Sequence, residues 1–405
     1  MGFAAVASLA PRLSHAQRLG ASLAVGPALN AVLFALCFMA GLPLDSCAWI
    51  LLAAACLAAI RAAGRARPEP TEHAEWIGIV GGLLMAITLF LRLLAVPVAR
   101  GDGIAIHLLR AEAILQGCFW EWAKGAPAAS LHADYPLGMP ALMAHGQILC
   151  GARSDIAALA PLVLVLPGAL LFIAATLART TGTLSALAAS LLMLCVPVLR
   201  THAVAGYADP LLAAGVLVGG LALALHEPRL AFVAALSLPW LKHEGILHAG
   251  LLTLFLSHGA RLRVRAAMLL ALALSAGLWF ADLGLHGVEF PIAESLPDDA
   301  RAGVLTIASR WFALAFTNDA ALAAVPGLGL VAALLLGRDP RWKPTARLLI
   351  ALSCAQVLLV VVRGTAHNTV LAGDTLQRLF AQTLPLAILL VGAATQKVFA
   401  PRSTP

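Results

Sequence analysis

Lys242, His243 and Glu244 interrupt the apolar stretch 229–258 near its middle, where ionised side chains are hardest to accommodate. A charge inside an apolar run of membrane length is unfavourable by several kcal/mol unless it is paired or hydrated. Either Lys242 and Glu244 pair with each other, or the Lys242-His243-Glu244-Gly245 tip meets a ligand. Asp209, in Gly206-Tyr207-Ala208-Asp209-Pro210, stands at the start of another apolar run. It is either a helix N-cap with Pro210 at the first helical position or a site carboxylate. Asp102 lies between Gly101 and Gly103 just beyond a third run, and it is either a solvated helix end or a base. In His132-Ala133-Asp134-Tyr135-Pro136, the proline fixes its own φ and steers Tyr135 away from helix. That rigid path holds His132 and Asp134 in place. Arg378 opens the last long apolar run, and Arg310 shares an amphipathic stretch with Trp311. Each arginine either snorkels to lipid headgroups or binds a phosphate. Carboxylates and cations gathered in this way suit one chemistry. A carboxylate takes the proton of an attacking hydroxyl, while cations or a metal stabilise a departing phosphate.

The elements that must position these residues are membrane helices. The 405 residues are 61% hydrophobic and only 12% charged, with a mean hydropathy of +0.91, against about a quarter charged in an ordinary soluble domain. No water-soluble packing hides that much apolar surface. Apolar runs of about 17 to 25 residues mark spans, at 20–41, 46–61, 77–99, 155–178, 184–199, 208–226, 266–286, 318–337, 346–363 and 379–396. Arg229 precedes the stretch 229–258, and Arg261, Arg263 and Arg265 follow it, so the positive-inside rule places both flanks in the cytoplasm. The stretch is therefore a hairpin with Lys242 and Glu244 at its outer tip. This gives an all-α protein of about twelve membrane-embedded helices, with both termini inside and the run at 20–41 kept as a first helix. Residues 1–76 form an N-terminal helical pair and linker, 77–396 the transmembrane region, and 397–405 a short tail.

Charge placement accounts for the net charge of +7. The segments assigned to the cytoplasm hold 16 of the 27 Lys and Arg but five of the 20 acids. The excess is a topology signal and implies no nucleic-acid partner, for no basic groove interleaved with aromatics appears. In the outer loop 100–154, residues 104–117 and 141–151 read as interfacial helices. The first carries an apolar stripe (Ile104, Leu108, Ala111, Leu115), with His107 and Arg110 on another face. The histidines lack zinc-type spacing, and no phosphate-binding loop or nucleophile elbow is present. A divalent metal stays open. Cys118 and Cys150 fall in the same outer loop and are candidates for a disulfide.

Together these groups resemble the GT-C superfamily, the polytopic glycosyltransferases that use polyprenyl-phosphate-linked sugars. The resemblance covers roughly residues 77–396. It rests on Asp102 at the opening of the first large loop, on Asp134-Tyr135-Pro136-Leu137 before an apolar helix, and on Tyr207-Ala208-Asp209 at a helix start. It also rests on the Lys242-to-Gly245 tip and the late Arg378. The chain differs from the pattern in an extra helical pair before residue 77 and in Gly138, where the family is usually more aliphatic. The resemblance implies catalysis by Asp102 as base on the acceptor, with Asp134 beside it or bracing the loop. It implies substrate contacts from His107, Arg110, His132, Tyr135, Asp209, Lys242, Glu244, Arg310 and Arg378, with Lys242 and Arg378 on the lipid phosphate. It further implies a site on the periplasmic face of a bacterial inner membrane, a polyprenyl-phosphate sugar donor, and an envelope glycan, lipid or protein as acceptor. The rival expectation is a transporter or flippase for a lipid-linked or small anionic substrate, with Lys242 and Glu244 on the path.

Overall fold

In lipid a backbone must satisfy its own polar groups, which for a chain of this pattern means helices. The computed structural model describes residues 2–65, 74–95, 103–125, 135–288, 304–316, 324–363 and 374–399, and every regular element among them is helical. The chain opens with α1 (Gly2–Leu9), α2 (His15–Met39), α3 (Leu44–Arg65) and α4 (Glu75–Ala95). A π-helical turn, Gly103–Leu108, runs into α5 (Leu109–Leu115), and α6 (Phe119–Gly125) and α7 (Gly138–Cys150) follow. Next come α8 (Asp155–Thr180), then α9 (Thr183–Cys195) and α10 (Pro197–Ala205), the last two bent by 54° at their junction. The second half comprises α11 (Asp209–Ala224), α12 (Pro228–Ser237), α13 (Glu244–Leu256), α14 (Leu262–Leu285), α15 (Val304–Phe316), α16 (Val325–Leu336), α17 (Lys343–Arg363) and α18 (Asp374–Phe399).

Among the described residues six helices are long and apolar enough to cross a membrane, namely α2, α4, α8, α14, α17 and α18, or seven if the bent α9–α10 pair is one span. The sequence predicts twelve embedded helices, and the described residues do not reach that number by length. With 16 residues α11 is about 24 Å long, short of the roughly 30 Å hydrocarbon core. At 10, 13 and 12 residues, α12, α13 and α16 are shorter still. The expected hairpin is visible as α12 and α13 packed on each other across a break at 238–243.

Helices α8 and α18 form the interior: 78% and 83% of their apolar windows are buried, against 22% for α14, which leaves its outer faces to lipid. Helix α8 packs against α2 and α4, and α18 against α9, α11 and α16. Ser14 and Gln17 cap α2 reciprocally, at 3.3 and 2.8 Å. Gln17 Nε2 also donates to Thr176 Oγ1 of α8 at 3.1 Å, which ties the N-terminal helices to the bundle.

Two expectations for the first large loop change. The segment from Gly103 to Leu115 is helical, but its polar pair joins the interior instead of facing out. His107 and Arg110 are buried together with Ile106, Ala111 and Ile114, whereas Ile104 and Leu109 are exposed. Helix α7 is buried from Gly138 to Gln147 against α2 rather than lying at an interface, with Asn30 hydrogen-bonded to His145 and Phe34 stacked on the His145 ring at 5.0 Å. Cys118 and Cys150 are both free thiols; Cys118 Sγ donates to Gln116 Oε1, and Cys150 is exposed at the end of α7.

Candidate functional site

Helix α11 starts where Gly206, at φ 80°, turns the chain out of α10. Asp209 is its first residue, with Pro210 next. The N-cap alternative fails, because the capping position belongs to Ala208, which makes no side-chain cap. The Asp209 carboxylate is fully buried and spends its lone pairs on other helices instead. Its Oδ1 accepts from Lys242 Nζ at 2.9 Å and from Gln382 Nε2 at 2.9 Å. Its Oδ2 lies 3.5 Å from Arg378 Nε and 3.5 Å from His202 Nδ1. Lys242 Nζ is also 3.9 Å from Glu244 Oε2. Four residues singled out in the sequence, Asp209, Lys242, Glu244 and Arg378, therefore meet at one point. Burial by itself would lower the pKa of Lys242, but the nearby Asp209 and Glu244 carboxylates outweigh it and raise the value, so the ammonium stays charged.

The break between α12 and α13 places Lys242. Pro239 lies in a 3₁₀ turn, Leu238–Trp240, that stops α12. Trp240 Nε1 donates to Ser275 Oγ of α14 at 2.9 Å, and Ser275 Oγ in turn donates to Leu236 O at 3.0 Å. The backbone is so tightly folded here that a methyl group on Gly245 would overlap the Leu238 carbonyl. The same reasoning explains Gly138, where the chain departs from the aliphatic pattern. A side chain there would run into the carbonyl oxygen of Trp240. The tip of the hairpin is thus seated directly on the start of α7.

A second group of residues joins the first through Tyr135. Arg110 Nη2 donates to Tyr135 O at 2.5 Å, and the Arg110 guanidinium lies over Phe119 and Trp279 at 5.5 and 5.8 Å. The Tyr135 ring stacks on His243 at 4.8 Å, next to Lys242. His107 is buried with no hydrogen-bond partner for Nδ1 among the described residues. Burial, then the charges of Arg110 and Lys242, hold its pKa well below the usual histidine value, so it is a neutral imidazole at pH 7. The Arg378 guanidinium also lies over the Tyr207 ring at 5.1 Å.

Asp102, His132 and Asp134 lie outside the described residues. Arg310 is not drawn into the cluster. It makes no ion pair among the described residues and leaves Nε buried without a partner, while Trp311 beside it packs on Phe380 at 5.2 Å. Two members of the cluster are additions to the sequence reading. Gln382 is uncharged, and its one signal is the four-residue spacing from Arg378 that puts both on one face of α18. His202 gave no signal, since it reaches Asp209 only because Gly206 folds α10 back on α11. Among the described residues no three metal-ligating side chains converge. No protein-family model, no curated protein and no solved structure matches this chain.

Proposed function

We propose that this protein is a GT-C type glycosyltransferase of the bacterial inner membrane, moving a sugar from a polyprenyl-phosphate carrier to an acceptor on the periplasmic face. One observation carries it: Lys242 and Arg378, the two cations expected to hold the lipid phosphate, converge on the buried carboxylate of Asp209. In the reaction an acceptor hydroxyl attacks the anomeric carbon, and its proton passes to Asp102. The bond from that carbon to the phosphate oxygen breaks, and the electron pair leaves with the lipid phosphate. Charge grows on the phosphate as the bond breaks, so fixed cations favour the transition state over the ground state. Asp209 and Gln382 hold the cations at the required place before the donor arrives. Arg378, with a side chain 32% exposed where Asp209 has none, is the cation a phosphate meets first.

The deciding assay is transfer from a synthetic polyprenyl-phosphate sugar in detergent, where no compartments exist. Turnover that depends on Asp102 and Lys242 is the expected result. Silence with a panel of sugars and acceptors, together with substrate movement in proteoliposomes, would move the assignment to the transporter.

A further inference from the structure

The far ends of α11 and α13 and the start of α17 enclose a cavity of about 900 Å³, at the opposite end of α11 from Asp209. Its walls are mostly apolar, with Leu223, Leu254 and Phe255 among them, and Lys343, Arg347 and His258 line it against the one carboxylate of Glu227. Lys343 and Arg347 stand four residues apart in the first turns of α17 and so share one face. Neighbouring cations at this end have partners: Arg179 has Glu75 at 3.6 Å, Lys397 has Asp339 at 3.2 Å, and Arg341 has Thr180 O at 3.1 Å. Lys343 and Arg347 make no ion pair among the described residues, and both are exposed. The cavity is built rather than incidental. Thr345, between the two cations, is buried and donates to Gly220 O of α11 at 2.8 Å, which fixes α17 against the opposite wall. His226 takes a left-handed φ of 57° to turn the chain from α11 into α12 along the cavity's edge. Helix α17 is itself of spanning length, so its first turn lies at a membrane boundary.

Two unpaired cations over an apolar trough at that depth match an amphiphile with a phosphate head and hydrocarbon tails. We propose that this cavity binds an anionic phospholipid, its phosphate between Lys343 and Arg347 and its acyl chains along Leu254 and Phe255. The commitment to a lipid over free phosphate rests on the apolar walls, which inorganic phosphate would leave wet.

The test uses the full chain purified in detergent, incubated with phosphatidylglycerol or phosphatidylcholine of the same acyl composition, with retained lipid counted by native mass spectrometry. The expected result is one phosphatidylglycerol retained at least tenfold better than phosphatidylcholine. The pair Lys343→Gln and Arg347→Gln should abolish that preference. The pair Arg261→Gln and Arg263→Gln removes the same charge from exposed positions that do not line the cavity, and it should preserve it. Equal retention of the two lipids, or equal loss in both variant pairs, overturns the site in favour of diffuse charge attraction. Displacement of phosphatidylglycerol by millimolar inorganic phosphate overturns the lipid assignment in favour of a free-phosphate site.

Discussion

The two ends of α18 hold ions under opposite conditions. Near its start Arg378 meets Asp209, which is wholly buried, together with Lys242 and Gln382. About 28 Å further along the same helix, Lys397 meets Asp339 at 3.2 Å, with side chains 46% and 26% exposed. The second pair is of the kind found on any protein surface, and its net contribution is between zero and about 1 kcal/mol. The first is different in kind. Asp209 and Lys242 have given up their hydration, while Arg378 keeps a side chain 32% exposed. Replacing a buried ion pair by apolar residues of similar volume is often neutral or stabilising. A cluster that stability does not require invites an explanation by what its charges meet, and the proposed sugar transfer supplies one.

The comparison breaks most visibly if the buried end tolerates loss of its centre. Asp209→Ala strands Lys242 in apolar surroundings with only the more distant Glu244, and removing one partner of a buried pair lowers stability by about 3–5 kcal/mol. Thermal unfolding of the purified protein in detergent should show a drop of many degrees. A shift no larger than that of Lys397→Ala would mean that the two ends do not differ in the way described. Asp209→Asn should be milder, because an amide still accepts from Gln382.

Next in size is the proposed base. Asp102→Asn should reduce sugar transfer by at least about 10²-fold, the scale of general-base catalysis, while leaving the melting temperature within a degree of the parent. This pairing of outcomes sharpens the contrast, because it separates loss of chemistry from loss of the ion cluster's stability. Transfer within a few-fold of the parent rate removes Asp102 from the mechanism.

Lys242 comes third. Lys242→Arg keeps the charge but not the compact geometry, so a tenfold rise in donor KM with a smaller change in kcat is expected. The double variant Lys242→Met with Glu244→Leu separates binding from pairing. If Lys242 exists only to neutralise Glu244, the double variant recovers the activity lost in each single one. If it holds the donor phosphate, transfer does not return, and Asp209, which Lys242 meets at 2.9 Å, also loses that cation.

The parts legible in the sequence were those where chemistry and environment conflict. Lys242, Glu244, Asp209 and Arg378 are conspicuous because each interrupts or opens an apolar run, and an ion there needs a partner; the structure brings all four together. Gln382 raises no such conflict and stays invisible until α18 is laid beside α11. Arg310 looked similar to Arg378 in its stretch, yet α15 carries it elsewhere. For His107 and Arg110 the helix was legible and its facing was not. An amphipathic period says which residues share a face and not which of them the rest of the fold covers. Twelve embedded helices are expected from the sequence, and among the described residues six or seven are long and apolar enough to cross a membrane. The run 208–226 is of membrane length as a string, whereas the helix within it covers Asp209–Ala224. Gly138 is the converse case, a small departure in sequence whose reason is the carbonyl of Trp240 in another part of the chain.

The smallest effect belongs to the exposed pair, and its sign is fixed by Asp339. Partial burial works to raise the pKa of this carboxyl, but the hydrogen bond from Lys397 and two backbone N–H donors outweigh it and hold the value below the ordinary 3.8. A group whose folded pKa is depressed adds stability above its unfolded value and loses it as pH falls through the folded one. The pair therefore contributes fully at neutral pH, and the contribution disappears only in acid below about 3.8. At pH 7 Lys397→Ala should lower stability by less than about 1 kcal/mol, discounted by solvent screening. In 1 M salt, where the screening length falls to about 3 Å, even that difference should shrink. Asp209→Ala, whose closest cation Lys242 is buried with it, should keep most of its effect at the same salt concentration. The two variants compared at low and high salt thus measure the difference between the ends directly. A salt-dependent Asp209→Ala would show that water and counterions already reach the cluster, and that its charges are screened like those at the other end.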